Sequence, residues 1–341
     1  MRKVVWWVLL AAILLPAGLV LLPRTYAVGV FKARAGTQYW TLSTGSRIGY
    51  TLIPGKAPRK PVPIIYLHGG PGGHVHDTVI DLLRPISDWG YDLYFYDQIG
   101  SGHSDRLSDI KAYTVERHVQ DLHAIIETIG AEQVILFGHS WGSMLATYYL
   151  SKYPKQIKSL ILSGPGPILP IRSALARQPA PDSLALRNPK FSNREGNAAT
   201  QNLRSEAMHY IAHTFGKKLA SDNEADAFFT HLNEALQRST TCNGEGLDPY
   251  PPGGGYYAHV RTIQSFQVPD RRAQLQPLQT PVLLLKGQCD NQPWGYTQEY
   301  LDLFEQARLV VIPDGGHGIR EQDQERYLKA ISGSVNQNLT H

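Results

Sequence analysis

Gly138-His139-Ser140-Trp141-Gly142 spells G-x-S-x-G, and its setting decides the fold. An apolar run, Gln133-Val134-Ile135-Leu136-Phe137, leads into it, and a helix-like segment, Ser143-Met144-Leu145-Ala146-Thr147-Tyr148-Tyr149-Leu150, leads out. Strand, sharp turn and helix are the context in which a serine hydroxyl is lifted from the end of a sheet as a nucleophile. Such a turn brings the strand and helix backbones together, so the residues flanking the serine must be small, and glycine also tolerates strained dihedrals. Alone, the pattern also describes a glycine-rich turn with a capping serine. The strand before it and the helix after it select the nucleophile, Ser140.

A second stretch supplies what an acyl-transfer nucleophile needs. Ile64-Ile65-Tyr66-Leu67 reads as a buried strand and runs into His68-Gly69-Gly70-Pro71-Gly72-Gly73. Backbone N–H groups in such a turn approach a developing oxyanion without obstruction. Gly70, with Gly69 as the alternative, and Trp141 are therefore the expected oxyanion-hole donors. A phosphate-binding loop is the rival reading, but neither G-x-G-x-x-G nor G-K-[ST] is present. The remaining partners should follow in the order serine, acid, histidine. Asp290 lies just past the apolar run Pro281 to Gly287, and His317 lies in Asp314-Gly315-Gly316-His317-Gly318, just past Arg308 to Pro313. Both fall at the carboxyl ends of strands, where open α/β sheets bind ligands. His317 is the expected base and Asp290 the expected acid, with Asp314 as the rival acid.

Around these motifs strands and helices alternate. Ile64–Leu67, Tyr91–Tyr96, Val134–Phe137, Leu160–Leu162, Val282–Leu285 and Leu309–Ile312 read as strands, with a hairpin before them around Thr44-Gly45-Ser46. Val115, Val119, Leu122, Ile125, Ile126 and Ile129 recur at helical spacing. The fold class expected is α/β, a mostly parallel sheet with helices on both faces. The alternation breaks between residues 165 and 276, where helix-like stretches at 199–215 and 224–237 precede a Gly/Pro-rich loop. This segment reads as an inserted helical cap that shapes the substrate pocket. The expected organisation is an N-terminal segment at 1–27, the first part of the core at 28–164, the cap at 165–276 and the second part of the core at 277–341.

His68-Gly69-Gly70-Pro71-Gly72, Tyr96-Asp97-Gln98-Ile99-Gly100-Ser101-Gly102-His103-Ser104 and Gly138-His139-Ser140-Trp141-Gly142-Ser143 together resemble the proline iminopeptidase family of α/β-hydrolases. The resemblance covers most of the chain outside the N-terminus and the middle. It implies an α/β-hydrolase fold, no cofactor and no metal. It also implies removal of a small N-terminal residue, proline among them, from short peptides through an acyl-enzyme on Ser140. The family's aminopeptidases carry a tryptophan-glutamate pair in the cap, and this chain has none. An esterase or amidase acting on substrates without a free amine is therefore the alternative, and a non-catalytic binding module a more distant one. A substrate ammonium would need a carboxylate. Glu206 and Glu234, on the expected cap helices, are the candidates, set among Glu195, Asp222, Glu224 and Asp226.

Composition agrees with an ordinary globular chain: 341 residues, 42% hydrophobic, 18% charged and a net charge of +4. With no basic block interleaved with aromatics, nucleic acid is not an expected partner; a small-molecule or short-peptide substrate is. The two cysteines, Cys242 and Cys289, are far apart and form no C-x-x-C. They read either as two buried thiols or, in an exported protein, as a disulfide. Val4 to Leu22 contains 19 residues without a charge, close to the roughly 20 that span a bilayer as a helix. The expectation is a membrane anchor at residues 4–22 with the catalytic domain on the extracytoplasmic side. Secretion after signal cleavage is the alternative.

Overall fold

A computed structural model of the protein describes Trp6, Gly18 and residues 20–245, 247–318 and 320–337. Most of the segment at 4–22, read as an anchor, lies outside the described residues. Among the described residues no helix is long and apolar enough to cross a membrane.

Among the described residues the sheet has eight strands. β1 (Gln38–Thr41) and β2 (Arg47–Ile53) form the hairpin expected from Thr44-Gly45-Ser46. β2 pairs antiparallel with β4 (Leu93–Tyr96), and every later pairing is parallel. These involve β3 (Ile64–Leu67), β5 (Val134–His139), β6 (Ile157–Ser163), β7 (Val282–Gly287) and β8 (Ala307–Ile312). The order is β1-β2-β4-β3-β5-β6-β7-β8. The chain leaves β3 for β4 on one side and returns to β5 on the other. Reversals of this kind open a crevice at the carboxyl ends of the strands, which is where ligands bind. Here the strands flanking the reversal are β3, which runs into His68-Gly69-Gly70, and β5, which runs into Ser140.

β3 and β7 are apolar runs because parallel strands are covered on both faces. Their side chains still alternate. Ile65, Leu67, Val282 and Leu284 join one core cluster, and Ile64, Tyr66, Leu283 and Leu285 join the other. Before β4 runs α1 (Asp77–Leu83), which puts Ile80 and Leu83 into the second cluster. α2 (Val115–Ile129) covers the first with Val115, Val119, Leu122, Ile125 and Ile126. Thr114 caps its start by accepting the Arg117 N–H, and Gly130 ends it in the left-handed region at φ 70°. α3 (Trp141–Lys152) follows Ser140 and is buried along nearly its whole length.

Between β6 and β7 the chain is helical rather than alternating. The stretch read as one helix at 199–215 is two, α4 (Asn193–Thr200) and α5 (Leu203–Phe215). Asn202 breaks them apart by capping α5, its side chain accepting the Ser205 N–H. α6 (Asp222–Leu236), α7 (Tyr256–Gln264) and α8 (Arg272–Leu275) complete the insertion, and Tyr256-Tyr257 opens α7 as buried anchors. α9 (Trp294–Leu303) follows β7, and α10 (Gln324–Gln337) follows β8.

Candidate active site

The turn between β5 and α3 holds Ser140 at φ 54° and ψ −117°. A non-glycine residue there costs about 1–3 kcal/mol and persists only where the surroundings over-determine it. The surroundings do so. A Cβ on Gly142 would lie 2.0 Å from the Leu67 carbonyl oxygen, and one on Gly138 would lie 2.4 Å from that of Gly142. Strand β3, strand β5 and helix α3 therefore meet at van der Waals limits, and the hydroxyl stands clear of them.

Its partners come from two other strand ends. Ser140 Oγ is 2.9 Å from His317 Nε2, and His317 Nδ1 is 2.8 Å from Asp290 Oδ1. Asp290 has no exposed side-chain surface. Burial pushes its carboxyl up, but the charges of His317 and Lys286 and its hydrogen bonds outweigh this and hold it down at about 2. The carboxylate is therefore an acceptor only, which assigns the proton to Nδ1 of His317 and leaves Nε2 to accept from the serine. Lys286 Nζ donates to Asp290 Oδ2 (3.1 Å) and the Gln292 N–H to Oδ1 (3.0 Å). Gly164, at φ 51°, lets the imidazole pass, since a Cβ there would meet Nδ1 at 2.8 Å. The rival acid, Asp314, lies at the surface and pairs with Arg187 at 2.6 Å. This constellation can attack a carbonyl carbon and pass the proton on to a leaving group.

The glycine loop after β3 lies against the nucleophile: a Cβ on Gly69 would be 3.1 Å from the Ser140 Cβ. Gly70 sits at φ 121°. Trp141 opens α3, so its N–H has no carbonyl one turn back. One side chain that the sequence reading gave no role joins these parts. The Gln98 side-chain amide donates to the His68 carbonyl (3.0 Å) and accepts from Trp141 Nε1 (2.8 Å), while the Gln98 N–H donates to His68 Nε2 (2.9 Å). His68 Nδ1–H in turn donates to the Gly69 carbonyl at 2.9 Å. Burial lowers the His68 imidazole's proton affinity, which suits a neutral ring that donates at one nitrogen and accepts at the other. The signal was the Asp97-Gln98 pair in the second quoted motif. Lys286 was equally hidden, because its position within an apolar run gives no hint of a buried ion pair.

The carboxylates proposed for an ammonium group are exposed or held by this chain's own groups. Glu206 and Glu234 are exposed on α5 and α6. Glu224 pairs with Arg204, Asp226 with Arg106 (3.0 Å) and Asp222 with Lys218 (2.8 Å), and Glu195 caps Ser192. Burial raises the Asp226 carboxyl to about 6 despite the Arg106 charge. Among the described residues no cluster of His, Cys, Asp or Glu fits a metal ion. Cys242 and Cys289, left open by the sequence, form a disulfide.

A hydroxyl pushed out at a strained strand–helix turn, with its imidazole and carboxylate supplied by later strand ends, defines a class: the chain is a hydrolase of the serine type. Its family is given by sequence. Residues 62–323 match the alpha/beta hydrolase fold family, and the chain belongs to it. It is similar to the proline iminopeptidase of Saccharolobus solfataricus, 25% identical over 298 residues that cover 86% of this chain and 90% of that protein. It is also similar to that of Lactobacillus delbrueckii subsp. bulgaricus, 29% identical over 290 residues, 83% and 92% of the two chains. Among solved structures, the esterase RhEst1 from Rhodococcus sp. ECU1013 superposes with a TM-score of 0.59 at 17% identity, covering 88% of this chain and 98% of that one.

Proposed function

We propose that the protein releases a small N-terminal residue, proline among them, from short peptides through an acyl-enzyme on Ser140. The hydrogen-bonded series Ser140–His317–Asp290 carries this reading. Ser140 Oγ attacks the carbonyl carbon as its proton moves to His317 Nε2, and Asp290 stabilises the imidazolium. The amide N–H groups of Trp141 and of Gly70 or Gly69 receive the oxyanion. The protonated imidazole then gives its proton to the leaving amine, and water repeats the sequence to free the acid. The similarity to proline iminopeptidases supports the substrate class.

One observation favours a second reading, an esterase or amidase for substrates without a free amine. An unpaired ammonium in a partly dry pocket costs several kcal/mol, and the insertion's carboxylates are either exposed or already engaged by this chain's own groups. A panel of L-prolyl and L-alanyl p-nitroanilides, their N-acetyl forms and p-nitrophenyl butyrate separates the two. Preference for free amines by at least tenfold in kcat/KM supports the aminopeptidase; equal or better cleavage of blocked amides and esters supports the alternative. Fluorophosphonate labelling of wild type but not of Ser140→Ala checks the nucleophile in either case.

We further propose that residues 4–22 anchor the protein with its catalytic domain outside the cytoplasm. The disulfide supports the compartment, since such bonds persist in oxidising surroundings.

A further inference from the structure

The disulfide ties a loop in the middle of the insertion, at Cys242, to the loop after β7, at Cys289, and so lies beside the loops of both the acid and the base. Cys289 directly precedes Asp290, and its N–H donates to the Gly315 carbonyl (2.8 Å), joining the acid loop to the histidine loop. Cys242 follows Thr240 by two residues, and the Thr240 carbonyl accepts the His317 N–H at 2.9 Å. Gly316 passes so close that a Cβ on it would lie 1.9 Å from that same oxygen. Asn291 Nδ2, on the other side of Asp290, donates to Ser239 Oγ at 3.2 Å. The early part of the insertion ends on the same loops: the Arg187 N–H donates to the Gln288 carbonyl (2.8 Å) and the Lys190 N–H to the Cys242 carbonyl (2.9 Å).

Asp290 and His317 thus stand on loops after different strands, β7 and β8, and a single stretch of the insertion, 239–242, braces both. Among these braces the hydrogen bonds can exchange with water, whereas the Cys242–Cys289 bond is covalent. We propose that Cys242 and Cys289 are positioning residues, and that their disulfide holds the carboxylate and the imidazole in register, so that turnover depends on its oxidation state. This rests on the Ser140 reading above. A dithiol reductant breaks the Sγ–Sγ bond and supplies two electrons and two protons; the protein gains two thiols and the reductant leaves as its own disulfide. The chain has no other cysteine, so the reagent acts at one place.

Misplacement by about 1 Å at a reacting centre costs on the order of 100-fold. The test uses full-length protein in three forms: oxidised, dithiothreitol-reduced and Cys242→Ser/Cys289→Ser. p-Nitrophenyl butyrate and L-prolyl p-nitroanilide are the substrates. The expected result is a fall in kcat of about 10- to 100-fold on reduction, with KM changed far less, and recovery on re-oxidation. The rising limb of the pH–rate profile should also move, because a loosened carboxylate no longer steadies the imidazolium. If reduced enzyme and the double variant keep both kcat and the pH profile, and only the thermal midpoint drops, the bond is a crosslink without a positioning role and the proposal is overturned. Should the double variant fail to fold, reduction of the folded wild type decides. Turnover by oxidised Ser140→Ala would instead sink the serine reading, independently of what reduction does.

Discussion

At the scale of single residues, the acid assignment is the sharpest claim. Asp290→Asn should cut kcat by about 10⁴-fold, because an amide cannot hold the imidazole in the required tautomer. Asp314→Asn, which removes only a surface pair with Arg187, should leave kcat within about twofold. Steady-state kinetics on both variants checks the ranking, and its reversal would transfer the role to Asp314. The same carboxyl sets a pH dependence of stability. Its folded-state value, about 2, lies below the ordinary 3.8, so its ionised form stabilises the fold. That contribution is fully present above about pH 4 and is lost as pH falls through 2. Thermal midpoints of wild type and Asp290→Asn, measured from pH 5 down to pH 2, should therefore converge. A gap that widened towards low pH would contradict the assigned ionisation.

At the scale of elements, what the sequence discloses depends on how local the cause is. The elbow was legible because two glycines and a serine must sit together wherever β5 meets α3. The crossover helix and the buried strands were legible because period and apolarity are local properties. Asp290 and His317 were legible because they follow apolar strands. The break at Asn202 was not, since a capping asparagine within a polar helix looks like any surface residue. Gln98 and Lys286 act through partners 30 or more residues away or through a charge inside a strand, and no spacing announces either. Glu206 and Glu234 are exposed on their helices, and helical position alone does not tell which face meets a pocket. Gly142→Ala should destabilise by about 3 kcal/mol or more and abolish activity, because its Cβ would meet the Leu67 carbonyl at 2.0 Å. Gly130→Ala, which meets nothing within 4 Å and suffers only from φ 70°, should cost about 1 kcal/mol and leave activity intact. Urea unfolding of the two variants gives the comparison.

At the scale of the whole molecule, three of the ties between the β6–β7 insertion and the rest of the chain bear on stability. The disulfide closes a separation of 47 residues, which restricts the unfolded chain by about 4 kcal/mol on a chain-entropy account. Arg106, from the core, meets Asp226 on α6. The third tie is the segment leading out of the N-terminus, which the sequence reading set apart from the core at residue 27. Arg204 on α5 donates to the Val20 carbonyl, and the Arg24 N–H donates to Glu224 at 2.9 Å. Tyr26 lies against Phe228 and His231, with ring centroids 5.4 and 5.6 Å away. Farther along, the Arg34 guanidinium reaches the Val75 carbonyl (2.7 Å) and Asp77, beside the glycine loop. This strap runs from the insertion to the core, so where a truncation is made matters. Removing residues 1–19 should give a soluble enzyme with unchanged kcat and thermal midpoint. Removing residues 1–34 should lower the midpoint by several degrees, since about 2 kcal/mol of aromatic packing and charge-assisted hydrogen bonding is lost. Full-length protein should sediment with membranes and be released by detergent but not by high salt, while the chain beginning at Val20 stays in the supernatant. Ultracentrifugation and differential scanning calorimetry read out the two parts separately. Equal midpoints for both truncations would show that the strap contributes nothing, and a soluble full-length protein would remove the anchor at residues 4–22.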